Sequence, residues 1–271
     1  MFHPYMWVLL IVALALCAVG FYRFVWFMSV GYGLAIGGIG IAILAFALAN
    51  GQDSAPVILA SALMVVYGGR LSGYLLVREL KNATYRKTLA QAVKDTTGSE
   101  KPVPFFVKIV MWLMMGALYV MQTSPVFYRA ANGAAREGLI CAWIGVAVML
   151  CGVTMEAAAD KQKGAQKKER PDMVAMKGLY KMCRCPNYFG EILFWTGVFV
   201  TGIPVLQGLQ WLVASLGYVL IVYIMFSGAK RLEKRQRKSY GNRQEYRDYA
   251  DSTPILIPFL PIYHLVKEEE K

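Results

Sequence analysis

The stretch Val25–Ala49, VWFMSVGYGLAIGGIGIAILAFALA, decides the fold: 25 residues pass without one charged side chain. As a helix rising about 1.5 Å per residue, it is longer than the roughly 30 Å hydrocarbon core of a bilayer. Inside it, Gly31-Tyr-Gly33-Leu-Ala-Ile-Gly37 superficially has the spacing of a dinucleotide-binding loop. No soluble strand precedes it, so Gly33-x-x-x-Gly37 reads instead as a face for close helix packing.

Six further apolar runs lie on either side, giving spans at about 5–22, 25–49, 56–77, 104–122, 137–157, 188–204 and 208–228. The first has neither a basic leader nor a small-residue cleavage site and reads as a retained span. The sixth is short and ends at Gly202 before Pro204, which leaves one span, two spans or a re-entrant pair open. The whole chain agrees with this pattern. Its 271 residues are 57% hydrophobic and 17% charged, against roughly 25% charged in soluble domains, and its mean hydropathy is +0.43. An all-α polytopic integral membrane protein follows, as one domain over 1–271, and an ordinary soluble or disordered chain is excluded.

The net charge of +12 is mostly topology. Of 29 Lys and Arg, six fall in 78–104, eight in 157–187 and ten in 229–271. These segments alternate correctly for seven spans, so the positive-inside rule puts the N-terminus outside and the C-terminus in the cytoplasm. The intervening connections are poor in basic residues, 123–137 carrying only Arg129 and Arg136. The surplus calls for anionic lipid or a phosphorylated cofactor rather than nucleic acid. Three of the five cysteines lie in spans, and Cys183 and Cys185 flank one arginine on the reducing side, so no disulfide framework and no metal site is expected.

Three blocks carry chemistry. In the third span Tyr67, Arg70, Tyr74 and Arg78 fall on one helical stripe, with Gly68, Gly69 and Gly73 thinning the helix towards a polar cavity. In the fifth, Glu156 and Asp160 lie one turn apart, followed by Lys163 and Lys167. That pair can hold a general acid, bind ribose hydroxyls, or pair with Arg70 and Arg78. The third block, Lys177-Gly-Leu-Tyr180-Lys-Met-Cys-Arg184-Cys-Pro-Asn187-Tyr188-Phe-Gly190-Glu191, runs straight into the sixth span, whose first-turn amides favour an anion. Glu191 enters the membrane and needs a partner. The tail, with Glu233, Arg235, Tyr246, Tyr249 and Pro254–Pro258, reads as a basic surface helix or as a lid folding back over a cofactor.

Taken in order, these blocks resemble the steroid 5α-reductase superfamily, and within it the bacterial DUF1295-type branch. Arg70–Tyr74 matches its Arg-Leu-Ser-Gly-Tyr stretch and Glu156–Lys163 its Glu-x-x-x-Asp-x-Gln-Lys stretch. Gly178–Glu191 matches its Pro-Asn-Tyr-Phe-Gly-Glu signature, and Glu233, Arg235, Tyr246, Tyr249 and Pro258 its tail. The likeness covers roughly 55–262. It implies seven spans around a cavity, capped by cytoplasmic loops, that holds NADPH. Hydride passes to the C=C of an α,β-unsaturated ketone, a 3-oxo-Δ4 steroid or similar lipid, in the bacterial inner membrane. Tyr67, alone or with Tyr32, would be catalytic. Arg70, Tyr74, Arg78, Glu156, Asp160, Lys163, Lys167, Arg184, Asn187, Tyr188, Glu191, Glu233, Arg235, Tyr246 and Tyr249 would line the cofactor site.

Three departures stand out. The early-span carboxylate of the steroid enzymes is missing, since Asp53 is the only acid before Glu79. Cys183 and Cys185 replace the expected Ser and His, and Lys163, Lys167, Lys168 and Arg170 replace an Arg-rich stretch. Two other readings share residues with this one. A membrane methyltransferase of the isoprenylcysteine or phospholipid type, using S-adenosylmethionine, shares Arg184, Pro186, Tyr188, Gly190 and Tyr246–Tyr249. A non-catalytic sterol- or lipid-binding protein keeps the cavity alone.

Overall fold

Every regular element in the computed structural model, which describes residues 3–81, 86, 89, 91, 103–132 and 138–266, is helical. The elements are α1 (Tyr5–Cys17), α2 (Val30–Ala49), α3 (Ala55–Lys81), α4 (Phe105–Ala131), α5 (Leu139–Glu169), α6 (Pro186–Gly202), α7 (Leu209–Tyr240) and α8 (Gln244–Ser252). Short 3₁₀ turns cover Ala18–Phe21, Phe24–Met28 and Gly178–Lys181. Helices are what lipid permits, because hydrocarbon offers no partner to a free peptide group. Five stretches are long and apolar enough to cross a bilayer: Phe24–Ala49, Ala55–Lys81, Phe105–Ala131, Leu139–Glu169 and Leu209–Tyr240. The other two expected spans are shorter helices, Tyr5–Phe21 and the 17-residue α6, which is a single helix ending at Gly202. The protein is an all-α polytopic membrane protein.

The expected fourth span stops at residue 122, but α4 runs on to Ala131 through Pro125. Proline has no N–H to give the carbonyl four residues back, which breaks most helices. Here the Ser124 hydroxyl donates to that orphaned Met121 carbonyl at 2.8 Å. The helix therefore survives, and Arg129 is a buried side chain of its last turn, donating to the Thr201 carbonyl at 3.4 Å, not a charge in a loop.

The chain forms two compact units, residues 1–146 with 198–218 and residues 147–197 with 219–271. In the first, α2 and α3 cross backbone to backbone. A Cβ added at Gly68 would lie 2.2 Å from the Gly33 carbonyl oxygen and 2.6 Å from the Gly37 nitrogen. The Gly33-x-x-x-Gly37 packing face is thus real, and its counterpart is Gly68. Of the three α3 glycines, Gly69 and Gly73 open onto space, whereas Gly68 thins the helix for packing and not for a polar cavity. Gly68→Ala is expected to cost about 1–3 kcal/mol as the helices are forced apart, whereas Gly69→Ala gains up to about 1 kcal/mol of helix propensity. Thermal melts of both variants in one detergent check this, and equal melts would contradict the crossing.

In the second unit α5 and α6 cross in the same way. A Cβ at Gly152 would lie 2.4 Å from the Phe194 nitrogen, and one at Gly190 2.8 Å from the Glu156 nitrogen. The crossing sets the buried Glu156 on α5 against the turn of α6 that carries the buried Glu191.

Candidate functional site

In the first unit the α3 stripe begins at Tyr67, which is fully buried and donates its hydroxyl proton to the Tyr32 hydroxyl at 3.1 Å. Tyr32 is held in turn against Tyr119, ring centroids 5.0 Å apart, and the Tyr119 hydroxyl donates to the Phe27 carbonyl. Both expected catalytic phenols therefore meet. Arg70, Tyr74 and Arg78 follow on α3, each half-buried, and the Arg78 guanidinium lies 6.0 Å over the Tyr74 ring. At the end of α3, Glu79 is buried and accepts from Arg23 and, at 2.7 Å, from the Trp26 indole. It pins the 3₁₀ turn before α2, a role with no signal in the spacing of the sequence.

In the second unit, Gln162 and Gln166, one helical turn apart on α5, receive the loop that leads to α6. Gln166 accepts from the Met176 and Lys177 N–H groups at 2.9 and 2.8 Å, and Gln162 from Leu179 N–H at 2.8 Å. Gly178 sits between them at φ +68°, a conformation that side chains rarely adopt. Any Cβ there would also strike the Gln162 amide. The loop then turns inward. The Tyr180 hydroxyl donates to the Ala159 carbonyl at 3.3 Å, and the Tyr249 hydroxyl of α8 to the Tyr180 carbonyl at 2.7 Å.

Arg184 and Glu233 form the centre of this unit, both buried. Arg184 Nη2 donates to Glu233 Oε1 at 3.2 Å and to the Tyr263 carbonyl. The same carboxylate faces Arg237 at 3.3 Å and His264 Nδ1 at 2.9 Å, and its other oxygen accepts from Leu265 and Val266 N–H at 2.8 and 3.1 Å. His264 Nε2 reaches Asp251 at 2.9 Å. The segment 254–266 is thereby strapped down, folding back as the proline-rich tail suggests.

Arg184 Nε and Nη1 and the Tyr246 hydroxyl are buried without a well-aligned partner among the described residues, and the guanidinium and the phenol lie within hydrogen-bonding range of each other. Burial pushes Tyr246 up from its ordinary value against the pull of the Arg184 charge, and burial raises Tyr249 too. Both stay neutral donors. Burial likewise lifts the Cys183 thiol to about 11 and the Cys185 thiol to about 12, the latter against Lys163 and Arg184. The thiols that flank Arg184 are therefore uncharged and small, and they leave Arg184 as the cation of the motif.

The remaining expected residues are spread around this centre. Asn187 and Tyr188 start α6 and are half-buried, as are Asp160 and Lys163 on α5. Lys167 Nζ donates to the Tyr240 hydroxyl at 3.0 Å and the Pro171 carbonyl at 3.2 Å. Arg235 is exposed. Within the second unit, Arg184 and Tyr246 can offer cationic and neutral donors to an oxyanion.

No curated protein and no solved structure matches the chain. One family does: the sequence model described as "Protein of unknown function (DUF1295)" matches residues 25–253.

Proposed function

The chain belongs to the DUF1295 family, and from there we propose that it is an NADPH-dependent membrane reductase acting on the C=C of an α,β-unsaturated ketone, a 3-oxo-Δ4 steroid or similar hydrophobic lipid. The observation that carries this reading is the buried Arg184 guanidinium, whose Nε and Nη1 lack a well-aligned acceptor and which lies within hydrogen-bonding range of the buried Tyr246 phenol. A buried donor without an acceptor costs about 1–3 kcal/mol, so such a cluster fits an anionic oxygen that completes it. Phosphate oxygens of the cofactor are that acceptor in this reading.

Bound NADPH would supply the hydride. The protein's own residues bind and orient. Arg184 and Tyr246 hold phosphate, with Lys163 and Lys167 adding positive charge nearby. Asn187 and Tyr188 present polar groups at the start of α6, and Glu156 and Glu191 offer carboxylates to ribose hydroxyls. In the first unit, Tyr67 would turn its phenolic proton from the Tyr32 oxygen to the substrate carbonyl oxygen, where negative charge would grow during reduction, and Tyr32 would then donate to Tyr67. Tyr32 stands behind it as a second phenol, in the place of a carboxylate partner. The distribution of Lys and Arg supports a cytoplasmic location for the basic segments, and the likeness to the bacterial branch an inner membrane.

Melting the detergent-purified protein alone, with NADPH, and with S-adenosylmethionine tests the reading. A ligand at 100 times its dissociation constant stabilises by about 2.7 kcal/mol. NADPH alone is expected to raise the melting temperature. A rise with S-adenosylmethionine alone would replace the reductase with a methyltransferase.

A further inference from the structure

The segment Pro254–Ile262, Pro-Ile-Leu-Ile-Pro-Phe-Leu-Pro-Ile, contains no polar side chain, although it follows the polar helix α8. It forms a closed loop. Ile255 N–H donates to the Ile262 carbonyl at 2.8 Å across its base, and Ile255 and Leu256 are buried beneath it. The tip points the other way: Phe259 is 89% exposed, with Leu260 and Ile262 exposed beside it. In water such a tip would be a liability, since a cluster of exposed apolar side chains signals an apolar partner.

The base of the loop lies where helices leave their apolar runs. Arg184 N–H donates to the Pro254 carbonyl at 2.8 Å, and Arg184 immediately precedes Cys185 and the start of α6. Glu233, which holds the far side of the strap, lies just past the apolar run of α7 that ends near Gly228. Around these anchors Lys181, Lys230, Arg231, Lys234 and Arg235 are exposed. The backbone of the tip is in part satisfied internally. Pro258 and Pro261 have no N–H, and those of Leu260 and Ile262 donate within the loop, to Ile257 at 3.2 Å and Leu260 at 2.7 Å.

We propose that the Ile257–Ile262 tip inserts into the interface of an anionic lipid bilayer, with the surrounding lysines and arginines meeting the headgroups. The bilayer then holds the outer end of the strap whose inner end is held by Glu233. The inference does not depend on the reductase reading.

A nitroxide label placed through Phe259→Cys reads the environment directly, and the 89% exposure of Phe259 means that the substitution removes no core contact. Cys141 and Cys151, the two cysteines that are not buried, are replaced by alanine, and the labelled background without Phe259→Cys is subtracted. A second label through Asp248→Cys, on an exposed position of α8, serves as the aqueous reference. The full chain is reconstituted in vesicles of phosphatidylcholine and phosphatidylglycerol, and power saturation compares collisions with oxygen and with a water-soluble nickel complex. Oxygen is expected to dominate several-fold at 259 and nickel at 248. Nickel dominating at both positions would overturn the proposal. So would a label at 259 shielded from both reagents, which would mean that the tip docks on protein.

Discussion

Glu233→Ala is expected to destabilise the protein by about 3–5 kcal/mol, the range for removing one partner of a buried ion pair. The loss is large because several donors converge on one carboxylate whose side chain is wholly buried. Without it Arg184 keeps its charge in a closed interior with no counterion, and Leu265 and Val266 lose the acceptor for their amides. The strap should detach before the rest unfolds. Limited proteolysis is therefore expected to cut between Thr253 and Val266 in the variant at temperatures at which the parent is intact, and the melting temperature to fall. The pairwise origin of the effect is checked by Arg184→Met combined with Glu233→Met, which removes both charges and should recover much of the loss. If Glu233→Ala melts with the parent and resists protease, the network contributes nothing to stability.

Tyr67→Phe carries the second large effect, in activity and not in stability. Removing a single donor to a developing oxyanion typically lowers turnover by about 10²–10³-fold. Structurally the change deletes the hydrogen bond to Tyr32, worth about 1 kcal/mol, and keeps the ring. NADPH consumption with a 3-oxo-Δ4 steroid should thus fall by that factor while NADPH affinity, measured by thermal shift, stays at the parental value. Parental turnover in the variant would remove Tyr67 from the chemistry, and lost affinity would mean that the phenol serves the cofactor.

Much of the architecture can be read from local composition, because a run such as Val25–Ala49 has no soluble alternative and a helix is its only solution in lipid. Gly33-x-x-x-Gly37 is legible for the same reason: small residues four apart make a surface whatever packs on it. What packs on it, Gly68, is not, since Gly68, Gly69 and Gly73 look alike until the facing helix is known. The end of α4 is misjudged because a proline and three polar residues mimic a loop, and one serine hydroxyl decides otherwise. At the candidate site the motif residues Arg184 and Glu233 are visible individually. Their pairing spans 49 residues, and no periodicity reports it. His264, which looks isolated near one end of the chain, turns out to bridge Glu233 and Asp251. Gln162 and Gln166 were detectable in principle, as amides one turn apart beside a glycine-containing loop.

The strap also sets a sequence of events during synthesis. Arg184 leaves the ribosome long before Tyr263, 79 residues later, and Glu233 precedes His264 by 31. Pairings this distant form slowly and late. Until they form, Arg184 and Glu233 have each other but lack the Tyr263 carbonyl and the Leu265 and Val266 amides that complete their network. The second unit's charge network therefore closes only once Tyr263–Val266 have been made, and a chain truncated before Tyr263 lacks these contacts.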